Sequence, residues 1–139
     1  MRGRTVLGQA AFALTATAAV LAGAPALANS LFDYGGFSNA SVVMGDNTFR
    51  IYVHKSRNTF VLEAAMKDFA KRPNTWPQSD WQAAANSFVR PLGCVVPQTV
   101  SIGPGVAWEA TYLCPLGVDL PALVKQQGEA VKGGAALRP

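Results

Sequence analysis

The sequence predicts an α+β fold: a small antiparallel sheet in ββαββα order, helices packed on one of its faces, and one cross-strand disulfide between Cys94 and Cys114. Three observations carry that expectation. Thr48 to His54 alternates apolar and polar residues, the mark of a half-buried strand. The two cysteines sit ten residues either side of Pro104 in Gly103-Pro104-Gly105, a turn sequence in which proline fixes φ and glycine admits positive φ. Between these β-type regions Trp81, Ala84, Ala85 and Phe88 recur at helical spacing.

The chain opens with a cationic start (Arg2, Arg4), an apolar stretch from Val6 to Gly23, and Ala26-Leu27-Ala28 as a small-x-small cleavage site. Residues 1–28 therefore read as a cleaved secretory leader. The Ala-rich leader fits a bacterial export route, so the periplasm or the medium is the expected location. Val6 to Gly23 approaches the length of a membrane span. It is, however, rich in Ala, Thr and Gly, contains Gln9, and is followed by no basic stop-transfer cluster. No stable membrane span is expected after cleavage, a retained N-terminus being the alternative. Export leaves 111 residues, enough for one domain. Of the twelve Lys and Arg, two lie in the leader, so ten face eight acids. That balance offers no argument for nucleic acid as a partner.

Residues 29–47, rich in Gly, Ser and Asn, read as a loose segment with a short strand at Ser41–Met44; its Phe32, Tyr34 and Phe37 are expected to lie across the domain surface. The domain proper is residues 48–127. Phe49, Ile51 and Val53 share one face of its first strand, Arg50, Tyr52 and His54 the other, and Lys55 to Asn58 forms a turn. Thr59 to Ala65 fits a second strand through Phe60, Leu62 and Ala64, but Val61, Leu62, Ala65, Met66 and Phe69 also make a helical stripe. The strand is preferred, with a short helical turn to Lys71. Ser79-Asp80-Trp81-Gln82 has the capping-box pattern, so a helix should run from Ser79 to about Val89, ended by Pro91 and Gly93. In the cysteine hairpin, pairs summing to 208 place Val96/Tyr112, Gln98/Ala110, Val100/Trp108 and Ile102/Val106 on one largely apolar face. A two-residue turn at Pro104-Gly105 would shift the sum to 209. Asp119 then caps a last helix with Pro121 in its first turn and Leu120, Leu123 and Val124 inward. Residues 128–139 read as a disordered tail.

Chemistry-bearing patterns are sparse. The single histidine, His54, gives no ordinary zinc site, which draws three or four ligands from Cys, His and carboxylates. Twenty residues between cysteines is not the Cys-x-x-Cys spacing of redox catalysis. Gly35-Gly36 and Gly133-Gly134 lack the flanking strand and helix of a phosphate loop, so no cofactor is expected. The weak catalytic candidates are His54 and Glu63, facing each other across the first hairpin as an acid/base pair of a small hydrolase or lyase. The binding candidates are Arg50, Lys55 and Arg57, continued by Lys67, Lys71 and Arg72 as a cationic patch, with Trp76 beside Pro73 and Pro77 as a groove wall; the plainer reading is a solvated turn and helix face, with Trp76 covering the core. The expectation is a small exported binding or accessory protein whose partner is another protein or an anionic envelope component, with a small hydrolase or lyase using His54 and Glu63 as the alternative.

Overall fold

The computed structural model describes Tyr34, residues 37–103 and residues 106–139. The leader, Phe32 and the Pro104-Gly105 turn centre lie outside those residues. Five strands form one antiparallel sheet: β1 (Ala40–Met44), β2 (Asn47–Val53), β3 (Thr59–Ala64), β4 (Val95–Ser101) and β5 (Ala107–Leu113), in the spatial order β1-β2-β3-β5-β4. Helices α1 (Gln78–Val89) and α2 (Leu120–Lys132) cover one face. The α+β class holds, but the order is βββαββα. The extra strand arises because Gly45, at φ 63°, occupies the first central position of a two-residue hairpin turn, where a residue with a Cβ is strained. The short strand expected at Ser41–Met44 is present as β1 and pairs with β2, within a segment otherwise expected to be loose.

Alternation decides what each strand buries. Phe49, Ile51 and Val53 of β2 stand opposite Ala64, Leu62 and Phe60 of β3, and all six are buried beneath the helices. Ala110 and Tyr112 of β5 extend that surface, which packs against Trp81, Ala84, Ala85, Phe88 and Val89 of α1 and Leu120 and Val124 of α2. Full burial of a side chain such as Phe60 or Leu62 contributes roughly 2 kcal/mol of transfer free energy. The helical reading of 59–65 fails because it would bury Met66 and Phe69, which are exposed. A 3-10 turn over Met66–Lys71 follows β3 instead.

Both candidate registers of the cysteine hairpin are present, one at each end. Val95 pairs with Leu113 beside the Cys94–Cys114 disulfide, whose Cα atoms are 4.2 Å apart. From Gln98 to Ser101 the partners are Thr111 to Trp108, one residue out of step. A bulge between Val95 and Gln98 absorbs the difference. Pro97 lies within it on an edge strand, where a missing N–H leaves no ladder bond broken. The bulge also changes which residues face the helices. Val96 and Thr99 are buried, whereas the uniform 208 register would have turned Gln98 and Val100 inward.

Helix α1 receives this edge. Its N-cap is Pro77, and Ser79 makes no capping bond, so the capping-box reading is corrected. Gln82 reaches across to β4 instead of back along its helix: its amide donates to the Val96 carbonyl, and its Oε1 accepts from the Thr99 hydroxyl at 2.9 Å. Asn86 accepts from the Val96 N–H at 2.9 Å, and Gln78 donates to the Thr99 carbonyl at 3.2 Å. Gln78, Gln82 and Asn86 are spaced i, i+4, i+8 and share one helical face. Their amides pair edge-strand groups that another chain would otherwise find open.

At the other end, the Asp119 carboxylate accepts from the Ala122 N–H at 3.1 Å and Pro121 sits in the first turn of α2, as expected. The helix does not fray at Gly128. Gly128 departs to φ 43°, ψ −119°, the helix resumes, and Val131 and Leu137 are buried in the main core. The Gln127 side chain bonds both the N–H and the carbonyl of Arg138. Residues 128–139 are therefore packed, not a disordered tail: two apolar anchors outweigh the Gly, Ala and Lys around them. The Ser41 hydroxyl donates to the Lys132 carbonyl at 2.9 Å, tying this end to β1.

Replacing Cys94 and Cys114 together with alanine is expected to lower the unfolding free energy by roughly 3 kcal/mol, the chain-entropy value for closing a loop of about twenty residues. Urea denaturation of the oxidised and double-alanine proteins measures it, and equal midpoints would show that the bridge restrains nothing.

Candidate functional site

The same alternation that builds the core leaves a polar face on the opposite side of the sheet. Arg50 and Tyr52 of β2, Thr59, Val61 and Glu63 of β3, and Glu109 of β5 project there. Arg50 stands opposite Glu63 and its guanidinium donates to the carboxylate at 2.8 Å; the Tyr52 hydroxyl donates to the same oxygen at 2.7 Å. Glu109 is only 5% exposed because Tyr34, from the segment preceding β1, lies over it. The Tyr34 hydroxyl donates to Glu109 at 2.5 Å and stands 2.6 Å from the Thr59 hydroxyl. With its one proton directed to Glu109, the phenol accepts from Thr59. The His54 ring meets Tyr34 edge-on at 5.1 Å, and the Arg57 guanidinium lies 5.8 Å from the ring centroid. Tyr34, Tyr52, Val61 and Ala107 form a second, smaller apolar cluster on this face.

These contacts set the ionisation of the phenols. Burial, then the bond to Glu109, holds Tyr34 far above its ordinary range. Burial, then the bond to Glu63, pushes Tyr52 up to about 12. Tyr112, on the helix side, is raised to about 12 by burial and by the nearby Asp119 charge.

The acid/base pair anticipated between His54 and Glu63 does not form. Glu63 is opposite Arg50, and His54 lies four residues further along β2, where its N–H meets the Thr59 carbonyl at 3.1 Å. Four strand residues span about 13 Å. His54 Nδ1 accepts the backbone N–H groups of Ser56 at 3.1 Å and Arg57 at 3.0 Å, so the imidazole organises the β2–β3 turn.

The expected cationic patch is divided in the same way. Arg50 is paired with Glu63. Lys67 and Lys71 both reach Asp68, at 2.9 and 3.1 Å. The Asp68 side chain is 1% exposed and also accepts the Thr48 N–H at 2.8 Å. That backbone bond first, then the Lys67 ammonium, holds its carboxyl well below the usual range. Trp76 is no groove wall: it packs edge-on against Phe49 at 5.6 Å and over Trp81 at 5.7 Å, and its indole N–H donates to the Lys71 carbonyl.

Lys55 and Arg57 are the binding candidates that do reach a concave surface. A groove of about 720 Å³ runs between α2 and the β2 end of the sheet, over Asn39, Val53, Lys55, Pro121, Val124 and Lys125. A second cleft of about 600 Å³ lies on the other side of the α2 start and is lined by Lys55, Arg57, Tyr112, Cys114 and Leu116. Lys55, Asp119 and Pro121 line both and form the ridge between them. The α2 contribution was missed in the sequence, although Pro121, Lys125 and Lys132 recur at helical spacing there. No group of three or more His, Cys, Asp or Glu side chains among the described residues is arranged to hold a metal ion.

No protein-family model matches the chain, and neither a curated protein nor a solved structure matches it.

Two pH-dependent outcomes follow. The raised phenols have folded values above the unfolded value of about 10, so their contribution is fully present below that pH and is lost as pH rises through the folded values. Stability should fall above pH 10, less steeply in Tyr34→Phe. At neutral pH that variant should lose about 1–3 kcal/mol, because the Glu109 carboxylate is left buried without its donor. Urea titrations at pH 7 and pH 11 check both. The Asp68 value lies below the unfolded value of about 3.9, so its contribution is present above that pH and is lost on acidification. Asp68→Asn should lower the thermal midpoint at pH 7 and narrow its gap to the wild type near pH 2; calorimetry showing a constant gap would discard this account.

Proposed function

We propose that the chain is an exported, non-enzymatic binding protein that takes an anionic component of the cell envelope at the ridge between the two clefts. The observation that carries the reading is the position of Lys55, a cation common to two concave surfaces, with Arg57 on the far wall of one. Cavities of several hundred Å³ are in the size range of small-molecule sites. Among the other basic residues weighed for this role, Arg50 is paired with Glu63, and Lys67 and Lys71 share the one carboxylate of Asp68. The separation of His54 from Glu63, and the use of each in a different hydrogen-bond group, supports binding over acid/base chemistry.

Export is supported by the leader pattern at residues 1–28 and by the Cys94–Cys114 disulfide, which is compatible with an extracellular or periplasmic location. No helix among the described residues is long and apolar enough to cross a membrane.

Native mass spectrometry of the protein purified from exporting cells tests the reading. The wild type should carry a non-covalent adduct of acidic character that Lys55→Glu loses and Arg90→Glu, an exposed change at the end of α1, retains. An adduct equally abundant in all three, or absent from the wild type, would retire the proposal.

A further inference from the structure

The two clefts differ in what their walls offer, and the difference points to a ligand class. The larger groove presents apolar Pro121 and Ala122 of α2, above the core side chains Val53 and Val124, which are themselves only 4% and 3% exposed. The backbone groups of Val53 beneath it are already engaged. The Val53 N–H donates to Asn39 Oδ1 at 3.0 Å, and the Val53 carbonyl accepts from Asn39 Nδ2 at 3.5 Å. An extended peptide laid here would bury its own N–H and carbonyl groups against a floor with little left to pair them, at a cost of about 1–3 kcal/mol for each unmet group. A hydrocarbon chain carries no such groups.

The rim supplies charge. Lys55, Lys125 and Lys132 all line the groove, the last two from α2. Two acids share the lining, Asp119 and Glu129. Asp119 is turned to its own helix as the cap of α2, and Glu129 lies beyond the Gly128 bend, one turn before Lys132. The lining thus carries three lysines against two acids, one of them engaged as a helix cap. Gly128 completes the wall: its non-helical backbone bends α2 at the groove, and a Cβ there would meet no atom within 4 Å.

We infer that the groove between α2 and β2 binds a single-chain anionic amphiphile, with its hydrocarbon over Pro121 and Ala122 and its headgroup at Lys55 and Lys125. This rests on the reading of Lys55 as an anion site and adds the chemistry of the remainder of the ligand. The occupant is a free monomer, because a groove of about 720 Å³ admits one chain and not a bilayer face.

Isothermal titration of the mature, disulfide-bonded protein with octanoate, decanoate and dodecanoate, each below its micelle concentration, provides the test. Affinity should rise about fourfold per methylene while the chain remains in the groove, the factor that corresponds to hydrocarbon burial. Dodecyltrimethylammonium, with the same chain and the opposite charge, should bind at least tenfold more weakly than dodecanoate. Lys55→Glu and Lys125→Glu should each weaken dodecanoate at least fivefold. Ala122→Trp, at an exposed groove position, should abolish the chain-length dependence while leaving the circular dichroism spectrum unchanged. Affinity independent of chain length, or equal for the two headgroup charges, overturns the inference. So does dimerisation or peptide binding through this face with no response to dodecanoate. If dodecanoate fails while the acidic adduct still depends on Lys55, the amphiphile assignment falls and the anion site stands; if the adduct is also indifferent to Lys55, both fall.

Discussion

The bulge in β4 is the constraint from which the rest of the fold follows. The disulfide sets one register at the base of the β4–β5 hairpin, the strand ends near Ile102 and Ala107 set another, and one extra residue must be accommodated between them. Accommodation turns Thr99 toward the helices. There it meets Gln78 and Gln82, which with Asn86 bind α1 to the strand through hydrogen bonds rather than through apolar contact alone. A hydrogen bond from a helix side chain to an edge strand has stricter geometry than methyl packing. The angle and height of α1 on the sheet are thereby fixed. Trp81, which stacks against Trp108 at 6.1 Å, is placed as a consequence.

The two faces of the sheet use different physics. The helix side is close-packed hydrocarbon, and its stability comes from area removed from water. The opposite side is held by a few hydrogen-bonded polar side chains: Thr59 to Tyr34 to Glu109, and Arg50 and Tyr52 to Glu63. Networks of this kind specify geometry more than they add stability, since a partly satisfied one is worse than none. They also account for the residues that looked catalytic in isolation. A histidine, a glutamate and several arginines on one strand hairpin are the raw material of an active site. Here each closes a turn, a cross-strand pair or an aromatic contact.

Much of the fold was legible because it depends on short-range patterns. Period-two alternation identified β2 and β3, the i, i+3, i+4 stripe identified α1, and Asp119 with Pro121 marked the start of α2. The cysteine spacing identified the disulfide and came within one residue of the register. What escaped depends on partners distant in the chain. Gln82 was read as a local cap because its true partners, Val96 and Thr99, lie on a strand that only the folded topology brings near. Tyr34 was expected on the surface, and nothing local indicates that it meets Glu109, 75 residues away. The tail was misjudged because Val131 and Leu137 are isolated in a Gly- and Ala-rich background, and two anchors with no period leave no pattern. The candidate site was half visible. Lys55 and Arg57 were picked out as a charged turn, but the groove needs the wall of α2, and its lysines read as ordinary solvated positions.

The disulfide joins two strands that are neighbours in sequence, whereas β3 reaches β5 only across α1 and the chain between them. Closing the short hairpin therefore sacrifices far less chain freedom than assembling the sheet. Once the bridge is closed, the hairpin stays shut whatever the remainder of the polypeptide does, and its β5 edge keeps the alignment that β3 needs.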